Sequence, residues 1–362
     1  MSKISKKHPI ALLVGTRPEL IKMAPVIREL QKQNVPFIFI HSNQHYSQEM
    51  DAAILADLAL PKPDYHLHVG SASHAVQTGK IMEGVERICI LRKPSLLVVH
   101  GDTNTTLGGA LTAKKLHIAV GHVEAGLRSF DYKMPEEINR ILTDRLSDIL
   151  FAPTELAKQN LLADGIPSTH IIVTGNTIVD AVQEHLPLAM NSKIKTQYQI
   201  PDRFIVITAH RAENVDSKKT LSQLLELVEF VHNTTQLPIF WPRHPRTKSR
   251  LLEFDLQLGA NIHELPPIGY LDMLCLLNSA ELILTDSGGI QEEAYILKRP
   301  LITLRDSTER PETLSANFIV HMNINKCKKA ITAFAQGKIK WGNEFGTGAA
   351  AKRIVAGLLS VQ

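Results

Sequence analysis

The sequence has few of the residues and patterns that mark specialised classes of protein. Its 362 residues include only three cysteines, which are far apart and match no metal-binding or redox spacing (Cys89, Cys275 and Cys327). We expect each to be a reduced residue in or near apolar sequence. No apolar run approaches the ~20 residues of a membrane span, and the net charge of +4 comes from basic and acidic residues that alternate. A nucleic-acid-binding protein usually concentrates its basic charge in one stripe. We therefore expect neither a membrane nor a nucleic acid as partner.

The first residues also lack the pattern of a secretory signal peptide. They are basic and then apolar, but residues 15–19 end the apolar part after a handful of positions, whereas a signal needs a longer core and a small-residue cleavage site. We interpret residues 10–14 as a first strand. Hydrophobic residues make up 44% of the chain and charged residues 21%, which is an ordinary globular composition. The length leaves room for two domains of about 150 residues each.

Short apolar runs alternate with segments of helical spacing along the first half, which predicts an α/β fold with a parallel sheet. The predicted strands lie at 10–14, 37–41, 96–99, 118–123, 149–152 and 171–173. The predicted helices lie at 20–31, 50–58, 76–92, 107–116, from 135 onward, and at 155–163.

A mixed segment with two prolines, residues 186–202, follows and is interpreted as a linker, after which the same alternation restarts. Strands are predicted at 204–208, 239–241, 282–285 and 301–304, and helices at 220–232, 251–258, 270–278, 289–297 and 349–359. We therefore predict two doubly wound α/β domains that face each other across a cleft. The first would span residues 1–186 and the second residues 187–345. The C-terminal helix within 346–362 could pack back on the first domain.

Three acidic residues follow predicted strands or open a helix in the first half, namely Asp102, Glu124 and Glu136. Ligands bind at the carboxyl ends of the strands of a parallel sheet. Each carboxylate alone could be a helix cap or an ion-pair partner. Three on converging loops would repel one another, which raises at least one pKa and favours an acid/base pair. Arg128 and Arg140 are candidates for holding one of them ionised.

A glycine turn leads from the first predicted strand into a helix in the segment GTRPELIK. Gly15 permits a tight turn, Pro18 suits a first helical turn, and a helix N-terminus favours an anion. Arg17 and Lys22 would supply cations there. The segment lacks the GxGxxG pattern of a dinucleotide site. A capped helix with a surface arginine would also explain it.

His210 and Arg211 leave the first strand of the second half, and the segment PRHPR repeats this basic pattern after the next strand. Such side chains could donate hydrogen bonds to a phosphate or sugar oxygen. A structural histidine bonded to the backbone would give the same local sequence. The repetition favours the functional interpretation.

The segment TDSGGIQEEA gives the strongest local signal. A strand, then Ser287-Gly288-Gly289, then a helix would expose successive backbone N–H groups at the positive end of a helix dipole, which suits a diphosphate. Glu293 lies farther along that helix, where its carboxylate could accept two ribose hydroxyls. The segment RDSTERPE, residues 305–312, then follows a strand and is dense in hydrogen-bonding groups.

These segments resemble a known family. GTRPELIK, HGDTNTT, HVEAGLRS, MPEEINR, AHRAEN, DSGGIQEEA and STERPE stand in the order and spacing of non-hydrolysing UDP-N-acetylglucosamine 2-epimerases. The resemblance implies the GT-B type of fold, two Rossmann-like domains with the active site between them. It also implies a cytoplasmic homodimer that interconverts UDP-GlcNAc and UDP-ManNAc without a metal or other cofactor. In this family UDP is expelled anti to the C2 proton, and the 2-acetamidoglucal formed takes UDP up again.

The resemblance also implies roles for individual residues. The catalytic group would be Asp102, Glu124, Glu136 and His210. The substrate-binding residues would be Arg17, Lys22, Asp102, Glu124, Arg140, His210, Ile268, Met273, Ser287, Gly288, Gly289, Glu293 and Arg310. Within this set Glu293 would hold the ribose, and the uracil would lie near Ile268 and Met273. Which carboxylate takes the proton stays open.

The sequence departs from the common family pattern at Ala212, where many members have a second arginine, and at Val215, where many have glycine. PRHPRT and the SFDYKMPEE spacing also resemble relatives that act on UDP-2,3-diacetamido-uronic acids, so the exact sugar stays open. The same motifs would also suit a hydrolysing epimerase, a GT-B glycosyltransferase or a nucleotide-sugar-binding regulator. The three carboxylates disfavour the regulator, since binding an anion gains nothing from them.

Overall fold

The computed structural model describes residues 8–44 and 54–360. The chain divides into two compact units. Unit 1 comprises Met1–Gln183 with Asn343–Gln362, and unit 2 comprises Glu184–Gly342. Each unit holds one parallel sheet with helices, which confirms the predicted α/β class.

Unit 1 contains a seven-stranded parallel sheet in the order β3-β2-β1-β4-β5-β6-β7. The strands are β1 Ile10–Val14, β2 Phe37–His41, β3 Tyr65–His66, β4 Leu96–His100, β5 Ala119–Val123, β6 Ile149–Ala152 and β7 Ile171–Val173. Runs such as IALLV and LLVVH are buried along their whole length, as expected for strands covered on both faces. The strand order reverses between β1 and β4, so the loops after β1, β4 and β5 share one edge of the sheet.

Several helices begin between residues 17 and 177 in the described part of the chain, and the starts of some of them follow from local capping. They are α1 Arg17–Lys32, α2 His74–Arg92, α3 Asn104–Lys115, α4 Pro135–Leu146, α5 Glu155–Ala163 and α6 Thr177–Ala189. The hydroxyls of Thr103 and Thr154 accept hydrogen bonds from backbone N–H groups in the first turns of α3 and α5. Pro135 occupies the first turn of α4, where its missing N–H is harmless.

Unit 2 contains a six-stranded parallel sheet in the order β10-β9-β8-β11-β12-β13. The strands are β8 Ile205–Thr208, β9 Ile239–Pro242, β10 Ile262–Leu265, β11 Leu282–Thr285, β12 Leu301–Thr303 and β13 Asn317–Ile319. Thr208 and Thr285 stand opposite each other at the ends of β8 and β11, and their hydroxyls are 2.6 Å apart. The order reverses at this pair, so the loops after β8 and β11 are adjacent.

Helices α7 to α13 belong to unit 2. They are α7 Ile194–Gln197, α8 Ala212–Val215, α9 Lys218–Thr235, α10 Pro245–Glu253, α11 Tyr270–Ser279, α12 Gly288–Ile296 and α13 Ile324–Ala335. The buried leucines and valines of α9 pack with Trp241 and the β8 strand in one apolar core. The last helix, α14 Ala350–Ser360, packs on α1 of unit 1. Asp180 accepts hydrogen bonds from the first two N–H groups of α14.

Several predicted boundaries were wrong. The segment at 186–202 is not a pattern-free linker, because it holds the end of α6 and all of α7. The helix predicted at 251–258 is α10, which starts six residues earlier because His244 caps it and Pro245 opens it. The strands β3, β10 and β13 and the helices α6, α7, α8 and α13 were not predicted. These strands are two to four residues long, and β10 carries exposed polar residues, so they show no apolar run. The helix predicted at 50–58 begins outside the described residues.

The three cysteines are buried free thiols, as predicted. Burial raises the pKa of Cys89 to about 11 and that of Cys327 to about 12, so both stay protonated. Among the described helices, none is both long and apolar enough to cross a membrane.

Two glycines of unit 1 have similar positive φ angles but different surroundings, which allows backbone strain to be separated from packing. Gly126 has φ +84°, and a Cβ there would lie 2.3 Å from the carbonyl oxygen of Ala157. Gly165 has φ +79°, and its nearest neighbour would be 3.9 Å away. We expect Gly165→Ala to lower the free energy of unfolding by about 1–2 kcal/mol through strain alone. Gly126→Ala should lower it by about 2–5 kcal/mol, because the clash with Ala157 adds to the strain. Chemical denaturation of both variants checks this, and equal losses would contradict the packing argument.

Candidate active site

Asp102 follows β4 and pairs with Arg140 of α4. The Nη2 atom of Arg140 lies 2.5 Å from Oδ2 of Asp102, and its Nη1 lies 2.9 Å from Oε2 of Glu137. The side-chain amide of Asn139 donates to the Asp102 carbonyl at 3.0 Å. These contacts bring the N-terminal half of α4 to the end of β4. Arg140 thus holds one of the predicted carboxylates, while about a quarter of the Asp102 side chain stays exposed.

Glu124 follows β5 and forms a buried ion pair with Lys22 of α1. The Nε2 atom of His100 lies 3.8 Å from the same carboxylate oxygen. The backbone of Glu124 has φ +70°, an unfavourable conformation for a residue with a Cβ. A strained backbone conformation persists only where the surrounding structure fixes it, and such conformations are concentrated at functional sites. The ion pair joins a predicted catalytic residue to a predicted diphosphate contact, and Arg17 lies half-buried at the start of the same helix.

Glu136 and Glu137 have different environments in the first turn of α4. Glu137 is fully buried and accepts hydrogen bonds from the N–H and hydroxyl of Ser129 and from the N–H of Phe130. Glu136 is half-buried, and in the part of the chain that the structure describes it has no hydrogen bond or ion pair. Glu137 thus holds the loop before α4 and leaves the Glu136 carboxylate for other contacts. The sequence could have indicated this role for Glu137, because Arg140 stands three residues later, at the spacing of an ion pair within a helix.

Arg128 does not pair with any of the three predicted carboxylates, which corrects the sequence interpretation. Its Nη2 atom lies 2.7 Å from Asp144 and 2.6 Å from Asp164. Asp144 is buried and also lies 2.8 Å from a ring nitrogen of His122, whose other nitrogen is 2.7 Å from the Gly101 carbonyl oxygen. Burial works to lower the pKa of Arg128, but the two aspartates outweigh it and raise the pKa. Arg128 therefore ties the loop after β5 to α4 through Asp144 and to the end of α5 through Asp164.

Glu19 is a buried carboxyl group that the sequence analysis did not single out. One oxygen accepts hydrogen bonds from the N–H groups of Gly15 at 2.6 Å and Thr16 at 2.8 Å. The other accepts from the hydroxyls of Thr103 at 2.7 Å and Thr106 at 3.3 Å. It therefore connects the loop after β1 to the loop after β4. Glu19 could have been identified from the sequence as the glutamate of a capping box, since it stands three residues after Thr16 at a predicted helix start.

In unit 2, Ser287-Gly288-Gly289 forms the start of α12 after β11, as predicted. The hydroxyl of Ser287 caps the helix at the N–H of Ile290. A Cβ at Gly288 would lie 2.8 Å from a carboxylate oxygen of Glu309, so only glycine fits without movement. Glu293 is buried within this helix. The turn exposes a helix N-terminus at the carboxyl end of β11, where backbone N–H groups favour an anion.

Asp286, immediately before this turn, holds the loop after β8. It is fully buried, and Oδ2 accepts hydrogen bonds from the N–H groups of His210 at 2.8 Å and Arg211 at 2.9 Å and from the amide of Asn214. Its Oδ1 lies 3.2 Å from Nδ1 of His210. Burial works to raise the pKa of Asp286, but the His210 ring and these donors outweigh it and lower the pKa. The aspartate thus orients the His210 imidazole. The sequence did not indicate this role, because the partners of Asp286 lie more than 70 residues away in the chain.

Arg310 follows β12 and pairs with Glu292 of α12 at 2.5 Å. Glu309 beside it pairs with Arg305 at 2.8 Å. Burial of Glu309 opposes ionisation, yet Arg310, Arg305 and Arg211 lower its pKa to about 2. The predicted diphosphate contact Arg310 therefore lies in a buried group of alternating charges next to the glycine turn.

The predicted uracil contacts lie at the start of another helix of unit 2. Ile268 precedes α11 and Met273 lies in its first turn, and both side chains are half-buried. In the described ranges, no group of three or more histidine, cysteine, aspartate or glutamate side chains is arranged to hold a metal ion.

The surroundings of Glu19 make its titration measurable. Burial raises its pKa from an ordinary value of 4.5 to about 7, although four hydrogen-bond donors oppose the change. Between these values the folded protein keeps a proton that the unfolded chain has released, so the free energy of unfolding should fall as pH rises from about 4.5 to about 7. The full fall is about 3 kcal/mol, and Glu19→Gln should remove it. Carbon-13 NMR of labelled glutamate carboxyls should show one resonance with a midpoint near 7 that is missing in the variant. A midpoint near 4.5 would contradict the effect of burial.

Comparison with known proteins places these features in a family. A family model described as UDP-N-acetylglucosamine 2-epimerase matches residues 28–359. The UDP-N-acetylglucosamine 2-epimerase of Methanocaldococcus jannaschii is 50% identical over 356 residues, 96% of this chain and 97% of that protein. The UDP-2,3-diacetamido-2,3-dideoxy-D-glucuronate 2-epimerase of Pseudomonas aeruginosa is 39% identical over 316 residues, 86% of this chain and 88% of that protein.

A solved structure agrees with the sequence matches. The crystal structure of the M. jannaschii UDP-GlcNAc 2-epimerase in complex with UDP-GlcNAc and UDP superposes with a TM-score of 0.92 at 49% identity, covering 97% of this chain and 99% of that one. Both the model match and the relatives span nearly the whole chain. The chain therefore belongs to the UDP-N-acetylglucosamine 2-epimerase family.

Proposed function

We propose that this protein catalyses the reversible C2 epimerisation of UDP-N-acetylglucosamine to UDP-N-acetylmannosamine. The observation that carries the proposal is 50% identity to the M. jannaschii 2-epimerase over 96% of the chain. The proposed route is anti elimination of UDP to give 2-acetamidoglucal, followed by re-addition of UDP. The C2–H and C1–O bonds break and a C1–C2 double bond forms, and the reverse step restores both bonds with the other configuration at C2.

The carboxylates of unit 1 are proposed to handle the C2 proton. Asp102 and Glu124 leave adjacent parallel strands, with His100 and Val123 in register just before them. Arg140 and Lys22 balance their charges. Glu136 adds a half-buried carboxylate from the start of α4. A positioned general base contributes roughly 10²–10⁴-fold to such a proton transfer, and the cations set how readily each carboxylate takes a proton.

The glycine turn of unit 2 is proposed to hold the leaving diphosphate, and the family resemblance adds Arg17 and Lys22 as proposed diphosphate contacts. The N–H groups at the start of α12 would receive its oxygens, and Arg310 and His210 would add donors. Expulsion of UDP places negative charge on the diphosphate, and donors fixed in advance stabilise that charge most effectively. Glu293 is proposed to accept the ribose hydroxyls, and Ile268 and Met273 to contact the uracil. No metal or other cofactor takes part in this route.

An incubation with UDP-GlcNAc alone in deuterated water tests the reaction. The proposal expects UDP-ManNAc to form with deuterium at C2, because the proton removed from C2 exchanges with solvent before it returns. Free ManNAc with UDP would indicate a hydrolysing epimerase, and an unchanged substrate would indicate a transferase or a binding protein. We also propose that the protein acts as a cytoplasmic homodimer, as the family resemblance implies, and light scattering of the same sample tests the dimer.

A second candidate substrate is UDP-2,3-diacetamido-2,3-dideoxy-D-glucuronate. The 39% identity to the P. aeruginosa enzyme named for it favours this candidate. The comparison of kcat/KM for the two sugars under one set of conditions decides between them, and a higher value for the uronate would replace the first proposal.

The proposed division of roles predicts how two variants behave. Asp102→Asn and Glu124→Gln should reduce kcat by at least 10²-fold, because each removes a group proposed to act in proton transfer, while UDP binding stays within about threefold. Glu155→Gln is the control, since this carboxylate lies on the surface of α5 and 70% of its side chain is exposed. Steady-state kinetics and UDP titration check the result, and full activity in both variants would refute the assigned roles.

A further inference from the structure

Glu19 lies among the loops of unit 1 that carry the proposed catalytic and binding residues, but it has no part in the proposed chemistry. The residue is 3% exposed. It accepts hydrogen bonds from the N–H groups of Gly15 and Thr16 and from the hydroxyls of Thr103, the residue after Asp102, and Thr106. A helix cap alone needs only the first pair.

The second pair of hydrogen bonds reaches another element of the sheet. Thr103 is the residue next to Asp102, and its hydroxyl donates to Glu19 while accepting from the N–H of Thr106 at 3.3 Å. The hydroxyl oxygen of Thr106 lies 2.6 Å from the His100 carbonyl oxygen and 3.3 Å from Glu19, and its single proton serves one of these acceptors at a time. The loop that presents Asp102 is therefore fixed on both sides, by α3 and by Glu19.

The close approach at Gly15 shows how tightly these loops meet. A Cβ at Gly15 would lie 2.2 Å from the hydroxyl oxygen of Thr105 and 2.4 Å from that of Ser42. These two hydroxyls are 2.8 Å apart, so the loops after β1, β2 and β4 contact one another around the glycine. Glu19 accepts a hydrogen bond from the N–H of this glycine, so its carboxyl group lies where these segments are closely packed.

We infer that Glu19 is a positioning residue that sets the place of Asp102 relative to Arg17 through its hydrogen bonds to Thr103 and Thr106. This inference rests on the proposed epimerase function. A displacement of a reacting group by about 1 Å can reduce the rate about 10²-fold. The loss should therefore appear in turnover more than in nucleotide affinity.

Two variants break the connection from opposite sides. Glu19→Ala removes the carboxyl group, and Thr103→Val removes the hydroxyl while Glu19 continues to cap α1. Each should lower kcat at least tenfold, and for Thr103→Val the KM should stay within threefold. The double variant should be no slower than the slower single variant, because both remove the same connection. Thr103→Ser keeps the hydroxyl and should retain kcat within threefold.

Matched controls exist for both changes. Thr154→Val removes the same kind of helix cap from α5. Asp180→Ala removes a buried carboxylate that accepts two backbone N–H groups at the start of α14. Both controls should keep kcat within twofold even where they lower the free energy of unfolding. Equal losses of kcat in the controls, or multiplying losses in the double variant, would show a general structural role and overturn the inference.

Amide hydrogen exchange separates a failure of this inference from a failure of the proposed function. Exchange of the amides at 101–106 should be faster in Glu19→Ala than in the wild type, while Asp180→Ala leaves it unchanged. This result does not depend on turnover. An inactive wild type would refute the function alone, whereas unchanged exchange at 101–106 would refute the positioning role.

Discussion

The loops at the carboxyl ends of the strands in both sheets depend on buried carboxyl groups that accept hydrogen bonds from loop N–H groups. Glu19 does this for the loop after β1, Glu137 for the loop before α4, and Asp286 for the loop after β8. A loop that leaves a parallel strand has no ladder partner for its N–H groups, and a buried N–H without an acceptor is costly. One carboxylate satisfies several donors at once, and those donors in turn offset the loss of water around it.

This arrangement separates the groups that hold the loops from the groups proposed to act. Glu137 stands next to Glu136, Asp286 next to Ser287, and Glu19 receives its hydroxyl donors from the residues that follow Asp102. The holding carboxylates are almost entirely buried, whereas Glu136, His210 and part of Asp102 remain accessible. A carboxyl group whose hydrogen bonds hold a loop in place is not available to contact a reacting sugar. Within each unit, a buried carboxyl group that fixes a loop and an accessible neighbour proposed to act therefore meet different requirements.

The sequence predicted most of what depends on local pattern. Buried strands of four or five apolar residues and the Ser-Gly-Gly helix start were found because their signals lie within one short segment. Partners distant in the chain were not found. Arg128 was expected near the acidic group but pairs with Asp144 and Asp164, because the choice among several carboxylates depends on how α4 and α5 pack. Short edge strands such as β10 were not predicted because exposed residues interrupt their apolar pattern.

The charges of unit 2 bear on how a diphosphate could be both bound and released. Arg310, Arg305 and Arg211 together keep Glu309 ionised, and Arg310 also pairs with Glu292. Two carboxylates thus neutralise part of the positive charge beside the glycine turn before any anion arrives. Under the proposed mechanism, UDP must leave C1 and then return, so a site that bound the free diphosphate too tightly would slow the second step. In that mechanism, partial neutralisation of the arginines would leave a larger share of the binding to the N–H groups of α12, whose dipoles would stabilise the anion without adding a full charge.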